Sequence, residues 1–484
     1  MSEEALTSEQ QFGKINFKMK LRGVVLPGRD PASRWDVEVK NKRIESITPA
    51  QRRCLGDEQE ECLSSPSILI PALCHPHMHL DKPYLLTCNN QSDSLPSYND
   101  LIPTTGSFTE ALTNTSRAKT RYTAADLLLR GSQLLAASLT YGTTSLRAFV
   151  EVDHTTRHQC LDAAVQLKRR FAHACHVQIC VFAQDPIFSS GHGEENRALL
   201  CEALDRGTGE IEALGTTPYV ERDYETSLRN VQWAIATALE RDLHLDFHLD
   251  YHVDPDRKAM VWDVVRLLIE MKWSERTRRT VVLGHCTRMT LFTDGEMHEL
   301  GGLIRENSLK LSFVGLPTSD LFMMGRPELR AGPDENDIGS GQRQRGTLQV
   351  LDMIRRFGLD ACMGVNNVGN AFTPWGTGDP LQLACLGVGI YQAGTEQDAK
   401  LLLECVSTRA RRAIGLGDRD GEDSNIDTCI KEGSTADIMI VRNEELVGCP
   451  GRLRVRVPAR QRLSVKDIAW DPPDRGLRLL IGLM

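Results

Sequence analysis

The residues with the clearest chemical potential are three histidines whose side chains can reach one point. His77 and His79 lie two apart in the segment HPHMHLDK (residues 75–82), at the end of an apolar run. Because residues i and i+2 of a strand point to the same face, both imidazoles project together. His248 ends a second apolar run, LHLDFHLD. Imidazole nitrogens are common ligands of transition ions, so these three side chains predict one metal position.

A fourth histidine, His285, ends a further apolar run, VVLGHC. A single histidine at a strand end is usually a hydrogen-bonded core residue, and an HxH triplet alone is an ordinary pattern. The chain has 13 histidines, and core packing explains poorly why four of them end apolar runs in this way. The set as a whole therefore favours a metal site over structural histidines.

Eight short apolar runs alternate with helical patterns through the middle of the chain, and these are the elements that must position the histidines. The runs are SILIPALCH, TTSLRAFVEV, HVQICVFAQ, EIEALGTTPYV, LHLDFHLD, TVVLGHCT, LKLSFVG and DACMGVNN. Segments with apolar residues at helical spacing lie between them, such as residues 124–141 and 228–240. Eight such units predict a closed (β/α)8 barrel of the TIM type. The runner-up is a doubly wound open sheet, which often carries a Gly-rich phosphate-binding turn that this sequence lacks.

Both ends of the chain alternate polar and apolar residues in short runs. The segments are FKMKLRGVVLP and WDVEVKNKRIESITP near the start, and STADIMIVRNEELVG and RQRLSVKDIAW near the end. Period-two alternation predicts strands, so we expect a small β-sandwich built from both termini. Residues 1–66 and 425–484 would form the sandwich and residues 67–424 the barrel. Two polar stretches, residues 87–119 and 326–346, predict irregular insertions that either build the active site or are flexible decoration.

Composition is that of an ordinary globular enzyme. The 484 residues suit a large barrel with an appended subdomain. A formal charge of −8 and the lack of a long Lys/Arg block argue against a nucleic-acid partner. The acidic start does not resemble a secretory signal, and no apolar stretch approaches the roughly 20 residues that span a bilayer. The 14 cysteines include no CxxC pair and fit reduced, buried thiols. We expect a cytoplasmic protein without a membrane partner, and a homo-oligomer stays open.

Together these motifs resemble the amidohydrolase superfamily, and most closely its cytosine-deaminase-like branch, which acts on cyclic amides and amino-triazines. The shared pattern is HxH after strand one, His after strand five and His after strand six. Further similarities are HLDK (79–82), GTTSLR (142–147), VFAQ (181–184), LPTSDLFMMGR (316–326), QRG (344–346) and GVNNVGNAFTPWGTGDPLQL (364–383). The resemblance covers about residues 67–440, and the flanking strand segments look like the small sandwich of these enzymes.

The resemblance implies a role for each matched histidine. His77, His79 and His248 would bind one divalent ion, zinc or iron. His285 would lie beside it and polarise or orient the attacking water. In the family, the activated water attacks an amidine or amide carbon, and a glutamate carries the proton to the leaving amine.

The resemblance also implies a small-molecule substrate and residues that bind it. Gln184 aligns with the glutamine that contacts the substrate carbonyl and ring nitrogen. Phe372 aligns with an aromatic residue that packs on the flat substrate ring, and Asn367 stands in the matching segment after strand eight.

Three positions depart from the family pattern. Tyr251 replaces the glutamate general acid and base, Asn366 stands where an aspartate is the last metal ligand, and Phe149 replaces a histidine commonly found after strand two. An amide oxygen coordinates weakly and cannot accept a proton near neutral pH. A phenol, whose reference pKa is about 10, is a poor proton shuttle. Asp250 does not substitute for the glutamate, because it is expected to face the opposite side of the strand.

These departures leave three functions open. The first is a divergent metal-dependent hydrolase of a C–N bond in a small cyclic amide or amidine, with His285 as the sole proton carrier. The second is a non-hydrolytic enzyme on the same fold, a cyclase, lyase or isomerase, in which Tyr251 acts as the acid. The third is a non-catalytic descendant that binds a ligand or partner. His285 and Tyr251 are thus the catalytic candidates, and Asn366 joins the three histidines as a weak metal ligand.

Overall fold

The structure is a computed structural model that describes residues 18–50, 65–87, 94–324, 346–416, 430–448 and 455–481. The chain divides into two compact units. One comprises the described parts of Met1–Ala72, Thr428–Ile468 and Pro473–Met484, and the other those of Leu73–Asp427 and Ala469–Pro472. The predicted division at residues 66/67 and 424/425 lies a few residues from these limits and stays a prediction.

The strands and helices of the described residues are numbered in chain order. The strands are β1 (Lys18–Val24), β2 (Trp35–Lys40), β3 (Arg43–Pro49), β4 (Ile68–Pro71), β5 (Leu73–His79), β6 (Thr143–Glu151), β7 (His176–Ala183), β8 (Ile211–Thr216), β9 (His244–Leu249), β10 (Val281–His285), β11 (Leu311–Gly315), β12 (Ala361–Met363), β13 (Ile438–Val441), β14 (Leu446–Gly448), β15 (Arg456–Pro458) and β16 (Arg478–Leu480). The α-helices are α1 (Phe108–Lys119), α2 (Ala124–Tyr141), α3 (Gln159–Phe171), α4 (Gly193–Arg206), α5 (Tyr224–Arg241), α6 (Val261–Glu270), α7 (Trp273–Arg276), α8 (Asp294–Glu306), α9 (Pro317–Met323), α10 (Val350–Arg355), α11 (Pro380–Ile390), α12 (Glu396–Cys405), α13 (Thr408–Ala413) and α14 (Val465–Trp470). None of the helices in these ranges is long and apolar enough to cross a bilayer.

The larger unit is a parallel barrel of eight strands. β5 to β12 pair in sequence order, each parallel to the next, and every one of the eight predicted apolar runs supplies one strand. The first and last strands meet, because the amide of His79 donates to the carbonyl oxygen of Asn366 at 3.0 Å and the amide of Asn366 to that of His77 at 3.1 Å. Both faces of the sheet are covered, which explains the continuous apolar runs. The predicted (β/α)8 barrel is confirmed.

A β-bulge in β5 sorts its three histidines between the two faces of the barrel. Relative to β6, β5 has one extra residue between His75 and Met78. A bulge of this kind reverses the alternation of side chains. His75 therefore points outward, with Nε2 3.3 Å from the hydroxyl of Ser138 on α2. His77 and His79 project into the barrel, so only these two can meet side chains of the other strands.

The smaller unit contains two three-stranded antiparallel sheets, β1–β2–β3 and β4–β13–β16. Alternate residues of both sheets share one apolar core. Its central members are Val37, Val39, Ile44, Leu69, Ile438 and Ile440. Strands from before and after the barrel segment thus form one sandwich, as the period-two patterns predict.

One predicted strand near the C-terminus is wrong. The segment RQRLSVKDIAW forms helix α14 rather than a strand. The carboxylate of Asp467 accepts hydrogen bonds from the backbone amides of Leu463 and Ser464 and from the Ser464 hydroxyl, at 2.8–3.0 Å. These bonds pair amides that a helix start leaves without intrahelical partners. These capping hydrogen bonds therefore favour a helix here, although the alternating pattern predicts a strand.

The first predicted insertion is more regular than its polar composition indicated. Residues 108–119 form α1, which begins where the Ser107 hydroxyl accepts a hydrogen bond from the Glu110 amide. An amphipathic helix of this length is stabilised chiefly by what its apolar face packs against. The second predicted insertion, residues 326–346, lies outside the described residues except for its last position.

Candidate metal centre and active site

The imidazoles of His77, His79 and His248 meet at the mouth of the barrel. Nε2 of His248 lies 3.0 Å from Nε2 of His77 and 3.1 Å from Nε2 of His79. β5 supplies the first two side chains and β9 the third, and all three are buried. The structure thus brings together the three histidines that the sequence singled out, with the same ring nitrogen of each facing the others.

The chemistry of this donor set fits one divalent ion. Burial lowers the pKa of His77, His79 and His248 well below the ordinary value, so the rings are neutral and their lone pairs are available. Within the described residues, Nδ1 of each ring lacks a hydrogen-bond partner, although buried polar atoms are normally paired. One potential ligand atom from each residue lies within 4.8 Å of the others. Three converging neutral imidazoles match the ligands of zinc and iron sites.

Neighbouring strands shape the space around His77. Gly284 of β10 faces its ring, and a Cβ atom there would lie 2.9 Å from Cε1 of His77. Phe149 of β6, where the family resemblance implies a histidine, packs its ring against His77 with centroids 4.2 Å apart. An apolar aromatic ring therefore borders His77 on this side, and a glycine gives it the room it needs.

Three strand ends around the histidines have left-handed backbone conformations. Asp250, His285 and Asn366 have φ angles of 47°, 66° and 70°. Residues other than glycine rarely adopt this region, and they do so mostly where the surrounding structure and function require it. These residues terminate or follow β9, β10 and β12, so the sharp turns lie at the rim that carries the site.

His285 is oriented by a carboxylate that the sequence analysis missed. Its Nδ1 lies 2.9 Å from Oδ1 of Asp320, in the first turn of α9. Oδ2 of Asp320 accepts hydrogen bonds from the Thr347 hydroxyl at 2.9 Å and the Leu316 amide at 3.2 Å. The ring of His285 lies beside that of His248, with centroids 5.3 Å apart. Asp320 thus fixes the His285 ring next to the three-histidine cluster.

Tyr251 stacks against His285, with ring centroids 3.9 Å apart. Its hydroxyl donates to the carbonyl oxygen of Ser319 at 3.3 Å and lies 3.4 Å from the Ser319 hydroxyl. Burial raises the pKa of Tyr251 above its ordinary value, so the phenol remains protonated near neutral pH. Tyr251 can therefore donate a proton or a hydrogen bond, but it cannot act as a base.

Asn366 faces the histidine cluster from the last strand. Its Nδ2 donates to the Ser319 hydroxyl at 2.8 Å. Its Oδ1 is buried and has no hydrogen-bond partner among the described residues. Asn366 raises the pKa of His77 and of His79 against the larger lowering by burial, so its side chain lies near both rings. An oxygen at this position is available to a ligand of the cluster.

Two residues predicted to bind substrate surround a buried ammonium group. Oε1 of Gln184 accepts a hydrogen bond from Nζ of Lys82 at 3.2 Å. Nζ of Lys82 lies 5.4 Å from the ring centroid of Phe372, and it forms a short ion pair with Glu151. Lys82 is only 1% exposed. Gln184 and Phe372 are thus on one wall of the site, and Lys82 is a polar member of it.

Asn367 belongs to the same wall through the loop after β12. Its Oδ1 accepts a hydrogen bond from Nδ2 of Asn370 at 2.8 Å, and Nδ2 of Asn370 also lies 3.1 Å from the carbonyl oxygen of Lys82. The carbonyl group of Asn367 is therefore engaged within the protein. Its amide nitrogen is the part of the side chain that remains for a ligand.

An apolar cluster that includes Phe372 and Tyr251 borders these polar groups. Phe108 of α1 contacts Tyr251, Phe372 and Tyr219, with ring centroids 5.8, 5.9 and 6.1 Å apart. The remaining members of this apolar cluster include Ala111, Leu112, Val253, Phe322, Met323, Met324 and Ala371. The predicted insertion after β5 thus contributes an aromatic side chain, Phe108, to the apolar cluster that contains Tyr251 and Phe372. Aromatic and methionine side chains suit a flat, partly apolar ligand.

Asp250 has a structural role at the start of α6. Its two carboxylate oxygens accept hydrogen bonds from the amides of Met260 and Val261 at 2.9 and 3.0 Å. The side chain therefore points away from the histidine cluster. As the sequence analysis expected, Asp250 does not supply a proton-carrying carboxylate to the cluster.

The sequence analysis missed the residues that support the site. Asp320 and Ser319 directly follow the seventh apolar run in LPTSD, so the rule that polar residues at strand ends form the site would have found them. Lys82 lies in the HLDK motif, but its position there does not by itself predict a role. Glu151 ends β6 inside an apolar run and Phe108 lies in the insertion, so no sequence pattern marks either residue as part of the site.

An eight-stranded α/β barrel with converging histidines at its mouth and a sandwich from both termini is the architecture of amidohydrolases. The chain is similar to 5-methylcytosine deaminase from Klebsiella pneumoniae liganded with 5-fluorocytosine, with a TM-score of 0.70, 19% identity and 93% of each chain covered. It is also similar to N-isopropylammelide isopropylaminohydrolase from Burkholderia multivorans, with a TM-score of 0.66, 20% identity, and 96% of this chain and 97% of that chain covered.

A third similar structure is an adenosine deaminase from Xanthomonas campestris with bound zinc, with a TM-score of 0.56, 16% identity, and 92% of this chain and 85% of that chain covered. No family model matches the sequence, and no curated protein sequence matches it. At these identities the likeness establishes the fold. The amidohydrolase resemblance that the motifs indicated is confirmed at that level.

Proposed function

We propose that the protein is a divergent metal-dependent hydrolase that cleaves a C–N bond in a small cyclic amide or amidine. The convergence of Nε2 of His77, His79 and His248 within 3.0–3.1 Å at the barrel mouth carries this proposal. These residues would hold one zinc or iron ion, with Oδ1 of Asn366 as a weak additional ligand. The bound ion would supply an activated water at neutral pH.

His285 is the proton carrier in this proposal. Asp320 holds its Nδ1, which leaves Nε2 to take one proton from the attacking water and to deliver it to the leaving nitrogen. The oxygen of the water bonds to the ring carbon as its proton passes to His285, and the C–N bond breaks as that proton reaches the nitrogen. An exocyclic nitrogen leaves as ammonia or an amine, whereas a ring nitrogen stays attached as the amine of the opened ring. Gln184, Phe372 and Asn367 would bind and orient the flat ring.

A second function, a cyclisation, elimination or isomerisation, is favoured by the position of Tyr251. Its phenol replaces a carboxylate, remains protonated, and stacks on His285 with centroids 3.9 Å apart. A protonated phenol can donate a hydrogen bond to an anion that forms on the substrate, and the imidazole of His285 can then move a proton within one substrate molecule. In both functions the partner is a small molecule. We retain a cytoplasmic location and a homo-oligomer as proposals.

Metal content and turnover test the proposal together. Purified protein should contain about one zinc or iron per chain, and His248→Ala should lose both the ion and the release of ammonia from cyclic amidines. His75→Ala is the matched control, because His75 is a buried histidine of the same strand that points outward. It should keep its metal. Wild-type protein that binds neither ion would overturn the metal-dependent reading, and metal-loaded protein that rearranges substrate without releasing nitrogen would support the second function.

A further inference from the structure

Two buried polar atoms beside the histidine cluster have complementary chemistry and no partner. Among the described residues, neither Nδ1 of His79 nor Oδ1 of Asp81 makes a hydrogen bond. Asp81 is 3% exposed, so bulk solvent does not reach its carboxylate. A buried polar atom without a partner destabilises the folded protein, so each such atom calls for an explanation. One of the two is a potential donor and the other an acceptor.

The two residues belong to one compact group of potential ligand atoms. His79, Asp81 and Glu151 each place such an atom within 4.8 Å of the others. His77 and His248 share no group of this kind with a carboxylate within the described chain. Of the three histidines that converge, His79 is therefore the one with a carboxylate at its side.

The other contacts of Asp81 hold it in place and leave Oδ1 unused. Its Oδ2 accepts a hydrogen bond of 2.7 Å from the amide of Glu151, which ties the segment after β5 to the end of β6. Its carbonyl oxygen accepts a hydrogen bond of 2.7 Å from the buried guanidinium of Arg130. The Glu151 carboxylate is engaged with the ammonium groups of Lys82 and Lys119. Oε2 of Glu151 also lacks a hydrogen bond, but it lies 3.0 Å from the ammonium group of Lys119, whereas no ion pair of Asp81 is found among the described residues. Asp81 is therefore the carboxylate that we assign to His79.

We propose that Asp81 is a positioning residue that accepts a hydrogen bond from Nδ1–H of His79 and thereby sets the metal affinity of the cluster. A neutral imidazole carries one N–H, so a ring that offers Nε2 to a metal must carry its proton on Nδ1. A carboxylate acceptor fixes this tautomer, orients the ring and makes Nε2 a stronger ligand. This inference rests on the metal site of the proposed function.

Asp81 also explains how the cluster can bind a divalent cation although none of its ligands is an anion. The three histidines and Asn366 are neutral donors, so nothing among them offsets the charge of a divalent ion. A carboxylate bonded to one ligand transfers part of its charge to the site through the imidazole. The substitution of asparagine at position 366 makes this contribution more important here than where an aspartate coordinates directly.

Zinc titration of metal-stripped protein tests the inference. Asp81→Ala should bind zinc about 10- to 100-fold more weakly than the wild type, the usual loss when a group behind a ligand is removed. Asp81→Asn, which keeps an acceptor but not the charge, should lose less. Asp153→Asn is the matched control: it removes a buried carboxylate that pairs with Lys119 and does not join the His79 group. Its zinc affinity should equal that of the wild type.

A second measurement reports on the hydrogen bond itself. In zinc-loaded protein labelled with nitrogen-15 histidine, the Nδ1–H proton of His79 should resonate far downfield, and Asp81→Ala should shift it while the His77 and His248 signals stay. Equal zinc affinity of Asp81→Ala and wild type, or an unchanged His79 signal, would overturn the inference and leave the proposed function intact. If Asp81→Ala does not fold, Asp81→Asn and its His79 signal decide. Wild-type protein that binds no zinc would overturn both.

Discussion

The side-chain amide of Asn366 donates a hydrogen bond of 2.8 Å to the hydroxyl of Ser319. The phenol of Tyr251 contacts the same residue, at its carbonyl oxygen and its hydroxyl. Asn366 and Tyr251 stand at the two positions where the family resemblance implies a carboxylate. Because they meet at one residue, a change at either alters the hydrogen bonds of the other, and their effects should be coupled.

The double variant Tyr251→Glu/Asn366→Asp should hydrolyse cytosine at least about 100-fold faster than the wild type, since a positioned acid–base group contributes roughly 10²–10⁴-fold. Each single variant should gain less than the double, because one carboxylate alone leaves either the proton shuttle or the ligand set incomplete. Ammonia release under saturating zinc measures this. A double variant no faster than the wild type would show that the pocket has been rebuilt for a different reaction.

Gly284→Ala should weaken zinc binding about tenfold without unfolding the barrel. The added Cβ would lie 2.9 Å from Cε1 of the buried His77 ring, which must then shift away from its partners. Overpacking of this kind costs about 1–3 kcal/mol. Gly302→Ala on α8 is the control, because the nearest atom to its Cβ is a flexible Glu306 oxygen at 3.9 Å. Equal zinc affinities for the two variants would contradict the proposed role of His77 as a ligand.

Asp320→Asn should lower turnover about 10- to 100-fold while the metal content stays at the wild-type level. Asp320 contacts His285, not the three-histidine cluster, and its loss frees the His285 ring to rotate. Thr347→Val removes a donor to the other carboxylate oxygen and should have a smaller effect. Turnover and metal analysis on the same samples check both points. Loss of metal in Asp320→Asn would mean that His285 itself is a ligand.

The sequence predicts the fold and the convergent histidines well, for a physical reason. Buried parallel strands read as short apolar runs, and the residues that end such runs lie at one rim of the barrel. His77, His79, His248 and His285 all end a run, so their convergence follows from topology alone. The pairing of the first and last strands near Asn366 follows from the same pattern of eight apolar runs.

Features that depend on local departures from regular structure are not predictable in this way. His75 precedes His77 by two residues, and strict alternation would put it inside the barrel, but the bulge turns it outward. Helix α14 forms because Asp467 caps it, against an alternating pattern. Asp320 beside His285 and Asp81 beside His79 depend on side-chain contacts between different segments. A pattern of alternating residues in one segment does not predict such contacts.

Arg147, in the GTTSLR motif, lies in the barrel interior rather than at the site. Its Nη1 donates to Oδ2 of Asp246 at 2.7 Å and its Nε to Oε1 of Gln178 at 2.7 Å, and both charged side chains are fully buried. Removal of one partner of a buried ion pair typically costs about 3–5 kcal/mol. Burial already raises the pKa of Asp246 to about 7, so without Arg147 this carboxyl group is protonated near neutral pH and remains buried without its partner. Arg147→Met should therefore lower the free energy of unfolding of the metal-free protein by about that amount in urea denaturation.

The double variant Arg147→Met/Asp246→Leu should be more stable than Arg147→Met alone, because it removes the unpaired buried carboxyl group and fills the space with an apolar group. Both variants lack the same guanidinium, so the comparison measures the effect of the unpaired Asp246 side chain together with its replacement by leucine. A double variant less stable than Arg147→Met would mean that the packing and hydrogen bonds of Asp246 outweigh the cost of burying it unpaired. The pair would then stabilise the barrel interior mainly through its packing and hydrogen bonds.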